Sequence, residues 1–486
     1  MKTPSTLLFD LLKSLSGSEL RYLKVQMGQI DKGYTRLMTA VLAQNSYNEE
    51  LLKVENSEES YIKNLSVNKR YLLDLVLDLL SRFSQAEQSE QILKELRFAK
   101  ILFQKNFLTA AQRKLKKAKQ LAKKLDAYEE LLLIYSLEKQ LLTTDRYELS
   151  QIQNLHEAIR QTVQKIQNIN DYWFFYTRLY QLQLQKQNNS TVDTEIKDIV
   201  ASPFFQEEEQ AITVRSKMYR YQARANFFFG SRQPEKAIES NLAFLKLLDT
   251  NANYRQRFSE AYFSTLNNFL IDSLMLRKFD ALDEGLLKLE QAKEDPAFVK
   301  IKNLKSRVFR QTMMLQLNRA MASGTYERAI VLMPKLKEGL SEFEKQIEPQ
   351  HKIAIQYLTA YLLFKNKDYE EVINWTNVLL QKTDESILSE YFHYTRWLNL
   401  IAHFELGNYQ LVGSLLRQTK RYVRQNRKLM KTEALLFKTL KKATGLADKR
   451  RAGAMVREME KPLVALKTEE RLFFQYLDLE EWVKGR

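Results

Sequence analysis

Tyr357-Leu358-Thr359-Ala360-Tyr361-Leu362-Leu363-Phe364-Lys365-Asn366-Lys367-Asp368-Tyr369 decides the fold class. Tyr357, Ala360, Tyr361 and Phe364 stand at i, i+3, i+4 and i+7, the spacing of one helix face. The pattern then stops at Lys367-Asp368-Tyr369. The same short phrase recurs as Lys105-Asn106-Phe107, Asp145-Arg146-Tyr147, Arg232-Gln233-Pro234, Arg277-Lys278-Phe279, Gly324-Thr325-Tyr326 and Gly407-Asn408-Tyr409. Taken in order along the chain, these anchors lie 40, 87, 45, 47, 43 and 40 residues apart. The 87 is two periods, with the missing turn placed near Asn188-Asn189-Ser190-Thr191. A period of about 43 residues holds two helices and a connecting loop.

Each phrase reads as the start of a second helix. Asn106, Thr325, Asp368 and Asn408 are suitable N-caps for its orphan N–H groups, and the aromatic that follows can pack back on the first helix. Beyond the turn, Ala329, Leu332, Met333 and Leu336 repeat the apolar spacing. Such a pair is apolar on two sides and cannot bury both alone, so pairs must stack.

Composition agrees. Gly (12) and Pro (7) are scarce in 486 residues, too few for the turns of an all-β protein or the glycine-rich loops of a nucleotide-binding sheet. Hydrophobic residues at 44% and aromatics at 11% supply a large core. The absence of cysteine removes disulfides, thiolate metal sites and cysteine nucleophiles. No run approaches the length of a membrane span, since Asp74 and Asp78 interrupt the greasiest stretch, Tyr71 to Leu80. Residues 1–10 show no apolar secretion core, so the expected location is cytoplasmic.

Several units resemble tetratricopeptide repeats. Tyr221, Ala225, Phe228, Pro234 and Ala237 carry the pattern in one unit and Gly324, Tyr326 and Ala329 in another. Gly407 and Tyr409 carry it in a third, where Val412 replaces the small residue. The resemblance covers residues 91–445, with a period longer than the family's ~34 residues. It implies an all-α, right-handed solenoid of antiparallel helix pairs and a protein-interaction role. Residues 1–90 lie off the repeat and read as an N-terminal helical cap or small bundle, with helix starts at Ser16-Gly17-Ser18-Glu19 and at Ser66-Val67-Asn68-Lys69. Residues 446–486 read as C-terminal helices ending in a capping helix over 468–484, with Leu472, Tyr476, Leu479 and Val483 on one face.

Motifs of chemistry are missing. Neither phosphate-cradling glycine loop occurs, and His156-Glu157 lacks the second histidine of a zinc-protease helix. His393 and His403 with Glu405 offer a metal or acid–base cluster only if the fold converges them; the plainer reading puts both histidines on one first helix of a repeat. The expectation is no enzyme, no metal and no cofactor.

Two surfaces carry the functional alternatives. The charge of +17 is concentrated: residues 94–124 are net +10 and residues 413–457 net +12, so the remainder is net acidic. In the first stretch Lys114, Lys117 and Lys124 sit off the apolar stripe of Ala111, Leu115, Ala118 and Ala122. In the second, Arg417, Lys420, Arg421, Arg424, Arg427 and Lys428 crowd one helix face. These faces can bind nucleic-acid phosphates, or can pair with Glu469, Glu470, Asp478, Glu480 and Glu481. The other surface is the groove. Tetratricopeptide proteins that grip a peptide carboxylate use asparagines on successive first helices, flanked by cations. The resemblance places Asn226 and Asn268 at the asparagine positions, with Tyr221 and Asn318 completing the candidate groove, while the cation positions hold Gln222, Gln311 and Leu315.

The expected function is a non-enzymatic cytoplasmic scaffold or adaptor that binds a partner protein segment in its concave face. One alternative is a nucleic-acid-associated protein using residues 94–124 and 413–457. Another is a peptide-responsive regulator with residues 1–90 as effector, although no clear DNA-binding helix-turn-helix is visible there.

Overall fold

The computed structural model describes residues 6–30, 32–83, 88–144, 148–185, 190–382, 388–446 and 449–485. Among these residues there is helix and connecting turn but no strand, and no helix is long and apolar enough to cross a membrane. The chain divides into two compact units, Met1–Asn168 and Ile169–Arg486.

The first unit opens with α1 (Leu7–Ser14), α2 (Gly17–Ile30), α3 (Lys32–Ala43), α4 (Glu49–Glu55) and α5 (Leu65–Phe83). Ser16 starts α2 as the sequence implies: the Glu19 N–H donates to its Oγ and the Glu19 carboxylate accepts from its backbone N–H at 2.7 Å. Leu12, Leu23, Met27, Leu37, Met38, Val41, Leu72, Val76 and Leu79 are fully buried in a core that belongs to these helices. Next come α6 (Gln88–Gln104), α7 (Leu108–Lys124) and α8 (Tyr128–Thr144), each packed on the others. The buried face of α7 is the predicted Ala111, Leu115, Ala118 and Ala122. The boundary between the units falls within α9 (Leu149–Gln185).

The second unit continues through α10 (Ser190–Ala201), α11 (Pro203–Gln206), α12 (Val214–Gly230), α13 (Pro234–Asp249), α14 (Ala252–Arg257), α15 (Ser259–Met275) and α16 (Phe279–Gln291). It goes on with α17 (Leu304–Ser323), α18 (Arg328–Glu342), α19 (Pro349–Lys365), α20 (Tyr369–Lys382), α21 (Ser389–Glu405), α22 (Tyr409–Asn426) and α23 (Lys431–Ala443). Helices pack in neighbouring pairs, and α15 also touches α17, α17 touches α19, and α19 touches α21. The stripe Tyr357, Ala360, Tyr361 and Phe364 is buried as expected, as are Ala329 and Leu336, while Leu332 and Met333 are partly buried against the same core.

The recurring phrase starts a second helix, as at Pro234, Phe279, Tyr369 and Tyr409, and it also ends the first. Asn106, Arg232, Arg277, Gly324, Lys367 and Gly407 all have φ between 55 and 80°, the left-handed conformation. The N–H of the next residue reaches back to the carbonyl five positions earlier: Gln233 to Phe228, Lys278 to Ser273, Thr325 to Ala320, Asp368 to Leu363 and Asn408 to His403, at 2.8–3.1 Å. That is the Schellman ending, which satisfies carbonyls left over by the preceding helix. Asp126 makes the same turn outside the phrase, with Ala127 N–H bonded to Ala122. Of the four proposed N-caps only Asp368 caps with its side chain, accepting from Glu371 N–H at 3.4 Å. Asn106 is itself the left-handed residue, Thr325 lies before the N-cap of α18, and the Asn408 amide turns back to His403. The aromatics do pack back, Tyr369 on Phe364 and Tyr409 on Phe404, but Phe107 is exposed. Asp145-Arg146-Tyr147 and Asn188-Asn189 lie outside the described residues.

The expected single helix over 468–484 is broken. The chain ends in α24 (Lys449–Arg457), α25 (Glu460–Glu469), α26 (Arg471–Tyr476) and α27 (Glu480–Lys484). Glu470 accepts from the Lys431 and Thr432 N–H groups (2.6 and 2.9 Å), capping α23 and ending α25. Residues 477–479 are held open by α19: the Tyr357 hydroxyl donates to the Tyr476 carbonyl (2.6 Å), and the Asp478 N–H donates to the Tyr361 hydroxyl (2.9 Å). The buried set is Phe473, Phe474, Leu477, Leu479, Trp482 and Val483, whereas Leu472 is exposed.

Candidate functional site

Asn226 and Phe229 are three apart on α12, so they share a face; Asn268 and Asp272 are four apart on α15 and share another. The pairing of α12 with α13, and of α13 with α15, brings these faces together around a cavity of about 290 Å³. Ala225, Asn226, Phe229, Asn241, Asn268, Ile271 and Asp272 line it. α12 is firmly started, with Thr213 and Ser216 each accepting the other's backbone N–H at 3.0 and 2.9 Å.

The structure thus converges Asn226 and Asn268, as the resemblance implied, and leaves the other two groove candidates outside. Tyr221 is buried, with burial and a hydrogen bond to Glu208 raising its hydroxyl pKa. Asn318 donates to the Met314 carbonyl of its own helix at 2.7 Å. Sequence reading missed Asn241 and Asp272. Asp272 is 2% exposed and accepts from Asn241 Nδ2 at 2.7 Å. Burial pushes its carboxyl up to about 6, the Asn241 bond opposing only part of that. An aspartate four residues after an asparagine is ordinary on a helix surface; only the covering α13 makes this one unusual.

The histidines and Glu405 do not converge. His403 pairs with Asn408, and the Trp482 indole donates to Glu405 at 2.5 Å. His393 is buried with its Nε2 2.5 Å from Glu433, whose carboxylate also accepts from Trp397 (3.2 Å), Arg427 (3.1 Å) and the Met430 N–H (3.0 Å). Burial alone would raise the Glu433 pKa, but bonds from His393 and Met430 and the charge of Arg427 outweigh it and lower it. No grouping of three or more metal-ligating side chains occurs among the described residues.

The two basic faces differ. On α7, Lys114 and Lys117 both pair with Glu95 of α6 (3.0 and 2.7 Å), and Lys117 foremost lowers the Glu95 pKa. Lys124 has no carboxylate within ion-pair distance among the described residues. On α22, Arg427 turns inward to Glu433, while Arg417, Lys420, Arg421, Arg424 and Lys428 have no ion-pair partner among the described residues. Of the acids proposed to neutralise the second segment, Glu469 pairs with Lys431, which lies within residues 413–457 but after α22; Glu470 accepts the Lys431 N–H, Asp478 and Glu480 pair with Lys467, and Glu481 pairs with Lys365.

No family model, curated protein or solved structure matches this chain.

Proposed function

We propose that the chain is a non-enzymatic cytoplasmic scaffold of tetratricopeptide-like, right-handed solenoid architecture that holds a segment of a partner protein against its first helices. The observation that supports this most is the shared recess of Asn226 and Asn268 on α12 and α15. Carboxamides on two helices that wall one recess can give and take hydrogen bonds along an extended peptide backbone, and Phe229, 49% exposed, adds an apolar wall. The test is purification of partners from the native cells at low salt and at about 0.5 M salt, where exposed ion pairs are screened within a few ångströms. Each arm is run with and without nuclease. The scaffold reading expects a discrete protein that survives both and is lost from the Asn226→Ala/Asn268→Ala double variant.

A second reading, nucleic-acid association, is favoured by the unpaired cations of α22 alone, since much of the α7 face is spent on Glu95 and Glu138. It expects co-purifying nucleic acid that is released by salt and weakened by Arg421→Glu. That outcome without a salt-resistant protein would overturn the scaffold.

A further inference from the structure

Resting on the reading of this recess as a peptide site, its chemistry selects the peptide. A clamp for a carboxylate needs cations, and here the one charged group lining the cavity is an acid. Asp272 is 2% exposed, on the cavity wall, and its single partner is the neutral Asn241 amide, which occupies Oδ2. No lysine or arginine among the described residues pairs with it. A buried carboxylate with a free oxygen facing an open recess attracts a donor that carries positive charge, and repels an anion. The walls fit as well. Phe229 and Ile271 are apolar, suited to an alkyl stem, and Asn226 and Asn268 can hold the backbone from which such a stem projects. At about 290 Å³ the recess is at the small end of ligand pockets, the size for one side chain rather than a cofactor.

We propose that this cavity receives a lysine or arginine side chain of the bound segment, its charged head meeting Asp272 and its stem lying between Phe229 and Ile271. A charge-assisted hydrogen bond in such surroundings is worth about 10- to 100-fold in affinity.

The experiment is a random-peptide display selection on the full chain and, in parallel, on Asp272→Asn, which keeps an oxygen for Asn241. A selected peptide is then measured with its basic residue intact and replaced by norleucine, against both proteins. The expected result is an obligatory lysine or arginine, a loss of about 10- to 100-fold on norleucine replacement, and an equal loss with Asp272→Asn. The two losses should not add, because both remove one contact. Because norleucine alters the peptide alone, a folding defect in the variant cannot mimic this pattern. Selected peptides that lack a required cation, or that bind Asp272→Asn equally well, would overturn the proposal and leave the peptide-binding reading standing. Peptides enriched no better than on an unrelated helical protein would overturn both.

Discussion

Between about pH 4 and pH 6, Asp272 holds a proton that the unfolded chain gives up. Its carboxyl titrates near 6 in the folded protein against an ordinary 3.8, because burial disfavours the anion. Between those values the native state binds more protons than the unfolded state, so this group's contribution favours folding at low pH and is lost as pH rises. By pH 7 the penalty reaches roughly 3 kcal/mol, and at pH 4.5 it is only about 1. Asp272→Asn should therefore stabilise the protein by roughly 2–3 kcal/mol at pH 7 and by about 1 at pH 4.5, as read from urea unfolding at the two pH values. An equal shift at both would refute the assignment. The sequence showed half of this site. Asn226 and Asn268 are legible because they share a register in successive units. Asp272 is not, because no local pattern tells which polar residue of α15 the neighbouring α13 will cover.

Helix endings set the next scale. Five of the left-handed turn residues, Asn106, Asp126, Arg232, Arg277 and Lys367, carry a Cβ, and this conformation costs an L-residue about 1–2 kcal/mol. Arg232 is exposed and makes no ion pair among the described residues, so Arg232→Gly should raise stability by about 0.5–1 kcal/mol after the unfolded-state entropy of glycine is subtracted. Gly324→Ala, with open space around its Cβ, should cost about 1 kcal/mol through φ alone. Both are checked by denaturant midpoint. The position of these turns and the helix that follows them were legible in the sequence, and the left-handed ending of the helix before was not: Asn, Asp and Thr favour N-caps, and Asn also favours the left-handed residue that ends a helix. Only the hydrogen-bond directions separate the two.

At the scale of the molecule, the second unit is closed by its own last residues. Lys365, its side chain 7% exposed, pairs with Glu481 at 3.0 Å, and Trp482 is buried with its indole bonded to Glu405. Trp482→Ala removes a large buried side chain and a hydrogen bond together, and should cost about 3–5 kcal/mol in equilibrium unfolding. If α27 were a loosely attached terminus, the loss would fall below about 1 kcal/mol. The stacking of pairs was legible because it repeats along the chain. The break at residues 477–479 was not, since Leu472, Tyr476, Leu479 and Val483 fit an unbroken helix face. What opens that helix is a pair of tyrosine hydroxyls 117 and 119 residues earlier.

That separation also orders events during synthesis. A ribosome releases Tyr357 and Tyr361 more than a hundred residues ahead of the backbone they hold. For that interval the nascent chain carries an uncovered aromatic face, the kind of surface that chaperones and proteases engage. A chain cut before Phe473 would lack the backbone that these two hydroxyls hold and the Phe473 and Tyr476 rings that pack on Tyr394, leaving that aromatic face uncovered.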